Sequence, residues 1–169
     1  PLVTLECARV LGEIGDIAAN KDMVRWMEKV LAEKQPNPQW VEYGFKGLAW
    51  IGAQDSRTQD LALKSASTGK HLDIGVASQA LRACYEWREL KPKVRKEMFK
   101  KIMGYLAGLW SGWKGGDVKK RGSFETKYKA VKDNGLKALS ELAGGGITFE
   151  NPPKAMAWWN EHKNDKWQP

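Results

Sequence analysis

The sequence predicts an all-α fold arranged as a stacked array of helix pairs. Three observations carry this expectation. Apolar residues recur at the helical period along most of the chain, strand-like alternation is missing, and one short segment returns in diverged form down the sequence.

The elements follow in order. The first helix aligns Val3, Cys7, Val10, Leu11 and Ile14 and ends at Gly15. Asn20 caps a second, with Met23, Trp26, Met27, Val30 and Leu31 on one stripe and Trp26 expected in the core. Asn37 and Pro38, a cap followed by proline at the first helical position, open a third with Val41, Phe45, Leu48 and Ile51, which stops at Gly52. Ser56 with Gln59 is a capping box for a fourth, which buries Leu61 and Leu63. The fifth starts near Asp73 and shows Ala77, Ala80, Leu81 and Cys84. Pro92 opens the sixth, with Val94, Met98, Ile102, Leu106 and Leu109. Ser123 is read as the cap of the seventh, with Phe124, Tyr128, Val131, Gly135, Ala138, Leu139 and Leu142, ended by Gly144 to Gly146. Asn151 and Pro152 start a last helix over 151–163, where the neighbours Trp158 and Trp159 point about 100° apart, one capping the core and the other at the surface or an interface.

The repeat lies at the end of every second helix. Val10-Leu11-Gly12-Glu13-Ile14-Gly15 aligns with Gly47-Leu48-Ala49-Trp50-Ile51-Gly52 at a shift of 37 residues, and Ala80 to Tyr85 follows after 33 more. Ala138 to Ala143 is a fourth copy, a further 58 residues on. The segment Ala8-Arg9-Val10-Leu11-Gly12-Glu13-Ile14-Gly15-Asp16 resembles the second-helix signature of bacterial HEAT-like, armadillo-type repeats, the group that includes the phycobilin-lyase-type repeats. The resemblance covers about residues 2 to 143, and Phe149 through Lys163 is similar to the Trp-rich helices that close such arrays. It implies a right-handed α-α superhelix of about four helix pairs, the first incomplete, plus a C-terminal capping helix. It also implies a surface for partners and no shared catalytic residues.

The whole chain, 1–169, is read as a single domain, long enough to bury a core. The first helix has no preceding partner. Either a repeat is cut off at the start, making the chain a block of a longer array, or Leu2 and Leu5 face solvent or another chain. Residues 110–123 are read as an inserted glycine- and lysine-rich loop within the fourth repeat. Cys7 and Cys84 sit on apolar stripes two repeats apart, beyond the roughly 4.4–6.8 Å Cα separation of a disulfide, and are expected to be buried free thiols.

Charge is unevenly placed. Residues 91–132 hold thirteen Lys or Arg against three acidic residues, a net +10, while the remainder of the chain is −2. The leading binding candidates are Trp110, Trp113, Lys114, Lys119, Lys120, Arg121 and Lys127, lysines and arginine for anionic groups and tryptophans for stacking. A solvated basic loop whose tryptophans fold back on the last repeat accounts for the same residues. Trp40, Trp50 and Trp87 lie off the main stripes, on or beside the second helices that line the concave face in the family resembled. They are candidates for a groove and equally for filling gaps between repeats. His71 and His162 are the only histidines and have no ligand at metal spacing, so neither a metal nor a cofactor is expected. No uninterrupted apolar run of membrane-spanning length occurs.

The expected function is therefore non-enzymatic: a protein-interaction scaffold, its partner another protein with an acidic surface. The alternative is a nucleic-acid-binding module using the basic segment 91–132. HEAT-like folds also resemble a class of alkylated-base DNA glycosylases, in which a carboxylate lies in a cationic cleft; here Asp117 and Glu125 lie in the basic segment, and no motif assigns either a role.

Overall fold

A computed structural model of the chain describes residues 18–34, 36–50, 92–144 and 146–167, with the single positions Val3, Glu6, Cys7, Val10 and Leu61. The fold is all-α. Among the described residues five helices run in order: α1 (Ala18–Ala32), α2 (Pro38–Trp50), α3 (Pro92–Gly115), α4 (Val118–Leu142) and α5 (Pro152–His162). No strand occurs among the described residues. The segments predicted as the fourth and fifth helices lie outside the described residues, apart from Leu61, which is buried.

Helices α1 and α2 pack on each other. Val24, Met27, Val30 and Leu31 of α1 are buried, as are Val41, Phe45 and Leu48 of α2. Gly44 makes the close approach: a side chain there would collide with Met27 and the Trp26 ring. The Asn37 carboxamide caps α2 by accepting from the Gln39 N–H at 2.9 Å. Helix α1 begins at Ala18, so Asn20 lies inside its first turn rather than at its cap. Trp26 is half-buried against Trp40, because its ring spans from α1 across to α2.

Helices α3 and α4 form an antiparallel hairpin, in which Leu106 meets Gly135 and Gly112 meets Phe124. Here the structure corrects the sequence reading. Residues 110–123 are not a loop: α3 continues through Gly115, only Gly116 and Asp117 turn the chain, and α4 begins at Val118. Asp117 is the N-cap, its carboxylate accepting from the Lys119 N–H at 2.9 Å, and Ser123 sits exposed inside the helix. The cause is tertiary. Trp110 and Trp113 extend the apolar stripe by another turn, and Gly112 leaves room for the Phe124 ring, whose atoms would stand 2.6 Å from an added Cβ. Packing outweighs the roughly 1 kcal/mol that each glycine costs a helix.

The buried face of α3 carries Arg95, Met98, Phe99, Ile102, Met103, Leu106 and Leu109; that of α4 carries Tyr128, Val131, Gly135, Ala138, Leu139 and Leu142. After α4 the chain reverses through Gly144, whose φ of +110° an L side chain rarely adopts. Asn151 caps α5, accepting from the Lys154 N–H at 3.1 Å, and Pro152 occupies the first turn.

Helix α5 closes the hairpin end through an aromatic cluster centred on Phe99. Phe149, Trp158, Trp159 and Trp167 surround that ring at centroid distances of 5.8, 5.3, 5.5 and 5.6 Å. Both Trp158 and Trp159 touch Phe99 and both are half-buried, so the two share the covering of the core. One bulky ring lying between the two side-chain directions satisfies both. The Trp167 indole N–H donates to the His162 carbonyl at 3.1 Å, which folds the tail back over the cluster.

Two expectations about the first helix also change. Cys7 is exposed rather than buried, and Val3 and Val10 on the same stripe are 77% and 39% exposed. Cys84 lies outside the described residues.

Candidate functional site

Two surface features of the α3–α4 hairpin combine positive charge with aromatic rings. The first lies at the hairpin's turn. Trp110 and Trp113, three residues apart on α3, meet Tyr128 of α4 at centroid distances of 5.3 and 5.6 Å and each other edge to face at 5.4 Å. The Lys114 ammonium sits 3.7 Å from the Trp113 centroid and 5.3 Å from that of Trp110. From α4, Lys129 reaches within 6.0 Å of Trp113 and pairs with Glu125 at 2.7 Å. Hydrogen bonding to Lys129, reinforced by the charges of Lys129 and Lys114 and a hydrogen bond from Trp113, holds the Glu125 carboxyl below its ordinary value. Burial pushes the Tyr128 phenol up, and Asp133 adds to that shift.

The rings in this group touch one another rather than enclose a space. The cluster is packed, and its cation is the chain's own Lys114. Of the seven leading sequence candidates, the structure gathers Trp110, Trp113 and Lys114. Lys119, Lys120 and Arg121 stand exposed in the first turn of α4, with a long contact of 3.4 Å from the Arg121 guanidinium to the Gly116 carbonyl. Lys127 is half-buried on α4. Trp40 belongs to the α1–α2 pair, its ring centroid 6.3 Å from that of Trp26. Trp50 is the last residue of α2, and Trp87 and His71 lie outside the described residues. The two acids have structural duties: Asp117 caps α4 and Glu125 binds Lys129.

The second feature is a groove of about 660 Å³ along α3, lined by Lys93, Lys96, Glu97, Lys100, Lys101, Gly104, Tyr105 and Trp159. A neighbouring hollow of about 580 Å³ shares Lys93 and Lys96 and runs on under Lys166 and Trp167. Lys96 is tied down, its ammonium donating to the carbonyls of Lys163 at 2.9 Å and Asp165 at 2.6 Å. Lys93, Lys100 and Lys101 are exposed and form no ion pair among the described residues. Trp159 lies stacked on Phe99 at an interplanar angle of 16°, and burial pushes the Tyr105 phenol up.

Sequence reasoning counted these lysines only as part of a charge excess and did not name Tyr105 or Trp159 as site residues. The signal was present for the lysines: positions 93, 96, 97, 100, 101 and 104 recur at helical spacing and so share one side of α3. Trp159 joins them only through the tertiary fold. Among the described residues no group of three His, Cys, Asp or Glu is placed to hold a metal ion, and no helix is long and apolar enough to cross a membrane. Comparison with protein-family models, with characterised proteins and with solved structures finds no match to this chain.

Proposed function

We propose that the chain is a non-enzymatic interaction scaffold, a HEAT-like array of helix pairs closed by α5, that binds an acidic surface of another protein. The observation that carries this reading is the cationic groove of α3. Lys93, Lys96, Lys100 and Lys101 crowd two successive turns with Glu97 as the one acid among the lining residues. Lys96 and Lys100 are like charges at i,i+4, an arrangement that costs a helix a few tenths of a kcal/mol and that an acidic partner relieves. Tyr105 and Trp159 add amphipathic rings of the kind that anchor protein interfaces.

The test is affinity capture with the full chain against its Lys93→Glu, Lys100→Glu, Lys101→Glu triple variant. The reading expects acidic proteins retained by the wild type, lost from the variant and released as salt rises. Retention of the same partners by the variant would sink it.

A second reading, nucleic-acid binding, is favoured by one observation: Trp159 rests on Phe99 at the edge of a lysine-lined groove, an arrangement suited to base stacking. Its test is a titration of tryptophan fluorescence with single- and double-stranded DNA at low and moderate salt. Salt-sensitive quenching supports it, and silence at low salt removes it.

A further inference from the structure

The solvent face of α3 has two unlike halves. Lys93, Glu97, Lys100 and Lys101 occupy its N-terminal half, and Gly104, Gly108, Ser111 and Gly115 its C-terminal half, all of them exposed. They lie opposite the buried face, so they form one continuous strip along the helix. A strip from Lys93 to Gly108 is about 22 Å long, the length of a four-turn helix.

The glycines differ in what they do. Gly112 and Gly135 are required by the fold, since a Cβ would stand 2.6 Å from Phe124 at one and 2.8 Å from Leu106 at the other. At Gly104 and Gly108 an added Cβ meets nothing within 4 Å. Internal packing therefore asks for neither, although both weaken the helix relative to alanine. Beside Gly104, the groove is walled by Tyr105 and Trp159 and flanked by lysines.

Resting on the reading of the chain as a binder of acidic protein surfaces, we infer that the α3 strip docks an acidic helix of a partner protein along its length. Charge complementarity selects the occupant. Carboxylates on the partner's helix meet Lys93, Lys100 and Lys101, and its backbone comes close over Gly104 and Gly108, where no side chain holds it away. Tyr105 and Trp159 pack against the partner's apolar side. A nucleic-acid strand would use the lysines and the Tyr105 and Trp159 rings beside Gly104, and it has no need of a close approach at Gly108, which lies past the groove lining.

The experiment uses the full chain and a fluorescent, hydrocarbon-stapled peptide of about four helical turns, with glutamates along one half of a face and alanines along the other. Three proteins are compared by fluorescence anisotropy: the wild type, Lys100→Glu with Lys101→Glu, and Gly104→Leu with Gly108→Leu. Docking predicts that each double variant weakens peptide binding by about tenfold or more. The leucine variant must at the same time melt no lower than the wild type, since leucine favours helix and the space is open.

If the lysine variant loses the peptide and the leucine variant keeps it, helix docking is overturned while binding of acidic proteins stands. Should no peptide bind at low salt, both readings fall. A single-stranded DNA oligomer that displaces the peptide and is itself indifferent to the leucine pair would assign the groove to nucleic acid and overturn the inference.

Discussion

The guanidinium of Arg95 donates two hydrogen bonds to one carbonyl, that of Leu142, from Nε at 3.1 Å and Nη2 at 2.8 Å. Arg95 lies in the first turns of α3 and is 2% exposed; Leu142 is the last residue of α4. A buried cation thus sits where the unpaired carbonyls and the negative end of the α4 dipole gather. Arg95 also lies 5.8 Å from the Trp167 ring, so it links α3, the end of α4 and the tail beyond α5.

Arg95→Ala should lower the stability of the chain by about 2–3 kcal/mol, the cost of leaving a buried carbonyl without its charged donor. Urea unfolding followed by circular dichroism measures it as a fall in midpoint at unchanged slope. Arg95→Lys should recover less than half, because one ammonium cannot copy the two-pronged geometry. Full recovery by lysine would show that charge alone matters.

Gly112 and Gly108 lie one helical turn apart and should respond to alanine with opposite signs. At Gly112 the new Cβ runs into Phe124, and a loss of about 1–3 kcal/mol is expected. At Gly108 the Cβ meets open space, and a gain of about 0.5–1 kcal/mol is expected. Thermal unfolding of the two single variants checks the pair, and a shared sign would contradict a hairpin in which Gly112 faces Phe124 and Gly108 faces solvent.

The Glu125 carboxyl should titrate below the ordinary glutamate value of about 4.3. A depressed pKa in the folded state means that stabilisation is present above the unfolded value and is lost as pH falls through the folded one. Lys129→Met should move the midpoint up, since the Lys129 hydrogen bond is the largest cause of the shift. Carbon-detected NMR of the side-chain carboxyl reads both midpoints, and an unmoved midpoint in Lys129→Met would reject Lys129 as the cause.

Trp167 is 8% exposed at the edge of the Phe99 cluster and bonds the His162 carbonyl. Trp167→Ala should cost about 3 kcal/mol, the low end of the range for deleting a buried tryptophan. It should also red-shift the emission of the tryptophans left behind, because the variant opens Trp158 and Trp159 to water. A blue shift, or no loss of stability, would show that the tail only rests on the surface.

Much of the architecture could be read in the chain because local rules governed it. Period-3.6 stripes placed α2, α3 and α4, and Asn37 and Asn151 each cap the helix they were expected to start. Pro92 opens α3, and Gly144 turns the chain after α4. The concentration of positive charge in 91–132 was equally plain, since charge is a property of composition.

What the tertiary structure decided was partnership. Asp117 and Ser123 both satisfy the local rule for a helix cap, and the choice between them rests on Gly112 meeting Phe124 across the hairpin. Arg95 reads in the sequence as one more cation in a basic run, yet it is buried because a carbonyl 47 residues away needs it. Trp159 reaches the lysine groove from another helix. Periodicity and caps act within a turn or two of helix, so a sequence displays them directly. Contacts between distant segments depend on how whole faces pack, and no local pattern records that.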